Sequence, residues 1–148
     1  MKKNFKLTKE SKVNWEGRTL FRIQATATFS IGTSGPSIKK GEKGGWIEDI
    51  KNLSGSAWVY GEAEVYGYKW KVSPLQIQGT QHFVNVCAKG VLRIGCFELP
   101  FKEWMEKFKV IGKREGYTPT QIKEYGLYID LAIKLYPERK KRTATKKT

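Results

Sequence analysis

The stretch from Leu53 to Trp70 constrains this chain most. It divides into three six-residue units, LSGSAW, VYGEAE and VYGYKW. Leu53, Val59 and Val65 open the units, Gly55, Gly61 and Gly67 stand third, and Ala57, Ala63 and Lys69 stand fifth. An aliphatic residue every six, with glycine and a small residue between, describes a left-handed parallel β-helix in which each unit is one side of a triangular coil. The aliphatic residue points inward, the small residue fits the narrow interior, and glycine permits the corner. The plainer alternative is two ordinary strands joined at Gly61, although such strands alternate every two residues without a fixed glycine. One coil leaves its upper and lower faces open, so the rest of the chain or another copy must cover it. Ile47 sits six residues before Leu53, but Asp49 and Lys51 follow it in the glycine and small positions. After Trp70 the register breaks at Lys71.

The run KKGEKGGWIEDIKNLSGSAWVYGEAEVYG, Lys39 to Gly67, resembles the opening of a family of phage and prophage left-handed β-helix proteins with hexapeptide-like repeats. Thr19-Leu20 and Arg22-Ile23 upstream carry the same likeness, as do Ile94-Gly95-Cys96-Phe97, Glu124-Tyr125 and Ile129-Asp130 downstream. Family members usually carry many hexads, so this chain resembles a short member. The resemblance implies an architecture and a phage context, in the cytoplasm of a bacterial host, rather than a reaction.

At 148 residues the chain is one domain with room for a core. The expected fold class is α+β: a short left-handed β-helix-like coil, an antiparallel hairpin sheet and two C-terminal amphipathic helices. The globular part spans 1–137: N-terminal strands and a Gly-rich entry loop over 1–52, the coil over 53–70, the hairpin sheet over 75–97 and the helices over 99–137. A flexible basic tail, 138–148, follows. Net charge is +14, of which the tail supplies +5. The remaining +9 belongs to the folded part and favours an anionic partner: nucleic acid, a nucleotide or an acidic protein face. Lysines that serve only solubility are the bland alternative. No apolar run is long enough to span a membrane, and no signal-peptide core follows Met1-Lys2-Lys3.

Strands are expected at Phe5 to Leu7 and Arg18 to Thr28, with a turn at Glu16-Gly17. Lys39, Lys40 and Lys43 lie in the glycine-rich entry loop. Backbone N–H groups there could cradle a phosphate, but the loop lacks the Walker spacing and reads mainly as the turn into the coil. Further strands are expected at Leu75 to Gln78, His82 to Cys87 and Val91 to Phe97. With Lys89-Gly90 at the turn, Ala88 faces Val91, Cys87 faces Leu92 and Cys96 faces Phe83. The cysteines are then not partners, and both pack as small apolar residues. Phe101, Trp104, Met105, Phe108 and Ile111 form one helix face, which Gly112 terminates. Thr118, Pro119 and Gln121 form a capping box for a second helix, in which Ile122, Tyr125, Ile129, Ala132, Ile133 and Tyr136 make the apolar stripe. Tyr117 before the cap can staple against Ile122.

No catalytic or metal-binding set emerges, and no cofactor is implied. His82 is the single histidine and has no acid near it in sequence. Glu62 and Glu64 flank the inward Ala63 and do not read as a buried acid/base pair. Binding remains. Trp58, Tyr60, Tyr66, Tyr68 and Trp70 fall at outward positions and make an aromatic belt interleaved with Lys69 and Lys71, suited to stacking on bases and pairing with phosphates. The alternative is that the helices or another subunit bury this belt. His82 and Arg93 complete the candidate ligand set. The expectation is a non-enzymatic protein that binds a nucleic acid or nucleotide signal, self-associates through its coil edges and inhibits a host defence system. The alternatives are a module docking on an acidic host protein and a degenerate acyltransferase centred on His82.

Overall fold

The computed structural model describes residues 3–137, so the basic tail lies outside the described residues. The chain is α+β. Ten strands come first: β1 (Phe5–Val13), β2 (Thr19–Ala25), β3 (Phe29–Ser30), β4 (Ser37–Ile38), β5 (Lys43–Ile47), β6 (Glu64–Val65), β7 (Gln76–Gln78), β8 (Phe83–Ala88), β9 (Val91–Ile94) and β10 (Phe97–Pro100). Helices α1 (Phe101–Arg114) and α2 (Pro119–Leu135) close the fold. One sheet has the order β1-β2-β5-β6 and another β10-β9-β8-β7, with β3 and β4 as a separate small pair.

Among the described residues, every strand pairing is antiparallel except where the repeat returns on itself. There, Trp46 pairs in parallel with Glu64 and Ile47 with Val65, eighteen positions apart. Three hexads therefore bring the chain back beside itself. Ile47, Leu53, Val59 and Val65 are completely buried, as is Ala63. Gly55, Gly61 and Gly67 all have positive φ, at 60°, 43° and 64°, as corners without a Cβ require. The coil starts earlier than its best hexads suggest. Where Asp49 and Lys51 replace the glycine and small residue, a capped 3-10 turn (Ile50–Asn52) makes the corner instead. The Asn52 amide also donates 2.9 Å to the Tyr68 carbonyl in the next layer.

The chain covers this coil by itself. Phe5, Ile23 and Ile38 pack on it from the N-terminal strands, Val84 and Leu92 from the second sheet, and Phe101, Trp104 and Ile129 from the helices, in one continuous core. This burial supplies no argument for a second copy, which the sequence had suggested. Leu20 and Ile23 are both fully buried but in different clusters, because opposite faces of β2 are covered.

Several local expectations need correction. β1 runs to Val13 rather than stopping at Leu7, since its backbone pairs with β2 as far as Thr19. The β8–β9 register holds at Ala88–Val91 but then shifts: Val86, not Cys87, faces Leu92. Cys87 sits in the resulting bulge and is buried. Cys96 is exposed in a turn at Gly95 (φ 62°), which splits the expected strand into β9 and β10. Gly112 does not end α1. It is buried inside the helix, where a Cβ would lie 2.9 Å from Ile122, so it sets the closeness of α1 to α2. Met105 is half-exposed rather than on the buried face. The Thr118 capping box is present as expected, and α2 buries Tyr125, Ile129 and Ala132.

A Cβ on Gly45 would lie 2.6 Å from the Ala63 carbonyl and 3.0 Å from that of Tyr60, both rigid backbone atoms. Gly45→Ala should therefore destabilise the protein by about 1–3 kcal/mol in urea unfolding. Exposed Lys89→Ala should stay within about 0.5 kcal/mol.

Candidate functional site

The second layer of the coil contains one residue fewer than the first. Ile47 pairs with Val65, but Leu53 pairs with Trp70, seventeen positions on. The slip decides which side chains face water. In strict hexad register, Lys69 and Lys71 would both take inward positions, where an unpaired ammonium is costly. A one-residue slip exchanges the faces of a strand. Trp70 turns inward, 6% exposed, and Lys69 and Lys71 flank it in solvent. Backbone bonds fix the geometry: Trp70 N–H donates to the Asn52 carbonyl (2.7 Å) and Ser54 N–H to the Trp70 carbonyl (3.0 Å).

Exposed Lys51 precedes this paired segment on the neighbouring layer, alongside Tyr68. Tyr68 is 40% exposed and rests edge-on against Trp70, with ring centroids 4.8 Å apart. Among the described residues, neither Lys51, Lys69 nor Lys71 has a carboxylate within 4.0 Å. Asp49, the nearest acid in sequence, caps the 3-10 turn by accepting from the Lys51 N–H. Lys51, Lys69 and Lys71 are thus exposed cations on the two paired segments that meet at Leu53 and Trp70, and form a basic edge. Trp70 is also met from α2 by Tyr136, at 5.8 Å and nearly perpendicular. Tyr136 accepts a hydrogen bond from the Leu75 N–H, 2.9 Å. Tyr136, next to the last described residue, is therefore anchored against this edge.

The other expected site residues are not assembled here. Lys39 and Lys40 are exposed on the entry loop, but its amides are already used. Lys39 N–H donates to Glu42, Lys40 N–H to Thr28, Gly41 N–H to the Ala25 carbonyl and Glu42 N–H to the Lys39 carbonyl. That leaves no ring of free donors for a phosphate. Lys43 is paired with Glu10 at 2.6 Å. The aromatic belt is mostly buried. Trp58 is enclosed against Phe29 and sits over Gly44, where a Cβ would come within 2.6 Å of the indole. Tyr66 is covered by the second sheet, its N–H donating to the Cys87 carbonyl and its ring meeting Arg18 at 4.7 Å. Tyr60 and Tyr68 remain on the surface.

His82 lies in a separate cleft of about 50 Å³ between the second sheet and the helices, beside Trp104, Phe108, Tyr117 and Tyr125. Its Nδ1 is 2.5 Å from the Tyr117 hydroxyl. The Tyr125 hydroxyl accepts from the His82 N–H and donates to the His82 carbonyl. Burial pushes the Tyr117 phenol well above its usual range. A phenol of that kind orients the imidazole; no carboxylate hydrogen-bonds it among the described residues. Arg93 is a buried structural cation. Its Nε is 3.4 Å from Glu64 Oε2, and it donates 2.7 Å to the Glu62 carbonyl.

Sequence reasoning did not find Lys51, because it stands in the degenerate hexad. It also placed Glu64 outside any buried pair, whereas Glu64 is buried beneath the second sheet. Among the described residues, no group of three or more His, Cys, Asp or Glu side chains is placed to hold a metal ion. No described helix is long and apolar enough to cross a membrane.

Alanine substitutions should separate the framework from the available surface. Arg93→Ala leaves Glu64 short of a buried partner and should cost about 3–5 kcal/mol of stability in urea unfolding. Lys69→Ala and Lys71→Ala should each change stability by less than about 0.5 kcal/mol. No protein-family model matches the chain, and no curated protein or solved structure shows significant similarity to it.

Proposed function

We propose that this is a non-enzymatic protein that binds single-stranded nucleic acid along the basic edge of its coil. The observation that carries this reading is that exposed Lys51, Lys69 and Lys71, without carboxylate partners among the described residues, lie on the paired segments that also carry the exposed Tyr68. Lysines spaced along an open strand edge suit a run of phosphates, and an aromatic face beside them suits a base. An open edge of this kind favours an extended polyanion over an enclosed mononucleotide. The tail sequence ERKKRTATKKT adds six further cations and one acid, attached next to the edge through Tyr136. Its contribution would be electrostatic and independent of sequence.

In this reading the eighteen-residue repeat is a single turn of left-handed β-helix, of the phage and prophage kind. The protein would act in a bacterial host by withholding a nucleic-acid signal from a host defence system.

Fluorescence anisotropy with a labelled single-stranded oligonucleotide, repeated over a range of salt, tests the proposal. Affinity should fall steeply with salt. Lys51→Ala, Lys69→Ala and Lys71→Ala together should flatten the log–log slope by about two, since each phosphate contact contributes about 0.7 for single strands. Tyr68→Ala should cost about 1–3 kcal/mol on single strands and much less on a duplex. Removing the residues after Pro137 should flatten the slope further. Binding that ignores salt, or that survives the triple substitution unchanged, would overturn the reading. So would a thermal shift confined to one mononucleotide.

A further inference from the structure

The polar cluster between the two sheets does something the candidate site does not use. Glu64 lies on β6 and Glu98 on β10, each 4% exposed; Lys12 and Asn14, two residues apart at the end of β1, reach one each, and Arg93 contacts Glu64 and pairs across the sheet with Glu98. Glu64 Oε1 and Glu98 Oε2 are both fully buried, and neither receives a hydrogen from any other described group. Their remaining oxygens are occupied. Lys12 lies 2.6 Å and Arg93 3.4 Å from Glu64 Oε2, and the Asn14 amide donates 3.1 Å to Glu98 Oε1. Two buried, unpartnered acceptors in one cluster are both satisfied if they share a proton.

We propose that Glu64 and Glu98 share one proton and so form a pH-sensitive clip holding the coil and the end of β1 against the hairpin sheet. Every element packed around the pair contributes to its balance. β1 and the turn after it bring Lys12, Asn14 and Glu16; the coil brings Glu62 and Tyr66; β8 brings Asn85 and Cys87; β9 brings Arg93. Both cations sit on Glu64, and Glu98 has none at salt-bridge distance among the described residues. The proton therefore belongs on Glu98. Burial, the hydrogen bond with Glu64 and the Glu64 charge push the Glu98 carboxyl up to about 8. Burial also pushes Glu64 upward, but the Glu98 hydrogen bond, Arg93 and Lys12 outweigh it and hold Glu64 below its usual range.

The sign follows from linkage. Glu98 keeps its proton in the folded chain at pH values where the unfolded chain has lost it, so its contribution to stability is complete below the ordinary carboxylate range. That contribution is lost as pH rises towards about 8. Glu64 works oppositely, and its contribution disappears only in acid. The clip is closed between these limits. Above them, two anions occupy one buried site and the β6–β10 link weakens.

The test compares wild type with Glu98→Gln, whose amide offers Glu64 a donor at every pH. In urea unfolding from about pH 5 to about pH 8, the wild-type unfolding constant should rise relative to the variant by up to about tenfold per pH unit, then level off. Parallel curves would overturn the proposal. Infrared spectroscopy of the folded wild type provides a second readout that does not need the variant to fold. A buried carboxylic-acid carbonyl band should be present at about pH 6 and should titrate away near pH 8. Absence of that band at the lower pH would sink the idea by itself.

Discussion

The structure depends on a short length of parallel backbone pairing. Once Trp46 lies beside Glu64 and Ile47 beside Val65, the chain has wound through eighteen residues and returned. Parallel neighbours normally need a crossover of a dozen or more residues, commonly through a helix. Here three hexads make the crossover, with glycine at each corner. The return places Ile47 and Val65 side by side while Leu53 and Val59 complete the interior, and all four are sealed from water. A single turn has no second or third turn to cover it. The N-terminal strands, the hairpin sheet and the two helices take that role, and their apolar faces are directed at the coil.

The same constraint explains the second, polar core. In this chain the outward face at β6 meets β8, with Asn85 closing a two-way exchange with the Glu64 backbone: Glu64 N–H donates to Asn85 Oδ1 (3.3 Å) and Asn85 Nδ2 to the Glu64 carbonyl (2.7 Å). An outward carboxylate is thereby trapped between layers and must find charge partners, which Lys12 and Arg93 supply. Such clusters add little net stability over apolar packing, but removing one member is costly. Their value here is in register, because Lys12, Glu64, Arg93 and Glu98 come from four different strands and meet in one alignment.

Much of this was legible in the sequence. The hexad period located the buried aliphatic positions Leu53, Val59 and Val65, and the capping box Thr118–Gln121 located the start of α2. The spacing could not report what lies over the outward positions. Trp58, Tyr66 and Glu64 stand at positions that the hexad reading makes outward, yet they are buried because distant segments cover them. The register shift at Cys87 was equally hidden, since a bulge depends on how β8 meets both β9 and the coil. Gly112 was misread for a related reason: glycine that ends a helix and glycine that admits a neighbouring helix look alike in one dimension.

The basic edge is the part of the candidate site that sequence reasoning approached most closely, and it missed by one residue of register. Lys69 and Lys71 were placed correctly as solvent-facing, but the hexad count that located them would have put both inside. Trp70 resolves the conflict by pairing with Leu53. Its large apolar ring occupies the interior position, and the lysines on either side turn out. The same step brings Tyr68 beside Trp70 and against the layer that carries Lys51. A shortened second layer therefore closes the end of the apolar interior and opens a basic edge in one move. A full eighteen-residue period on this sequence would instead set Lys71 opposite Leu53 and bring both lysines to inward positions, at the expense of the packing that Trp70 makes with Tyr136. Stability and the disposition of charge at this edge thus rest on the same missing residue.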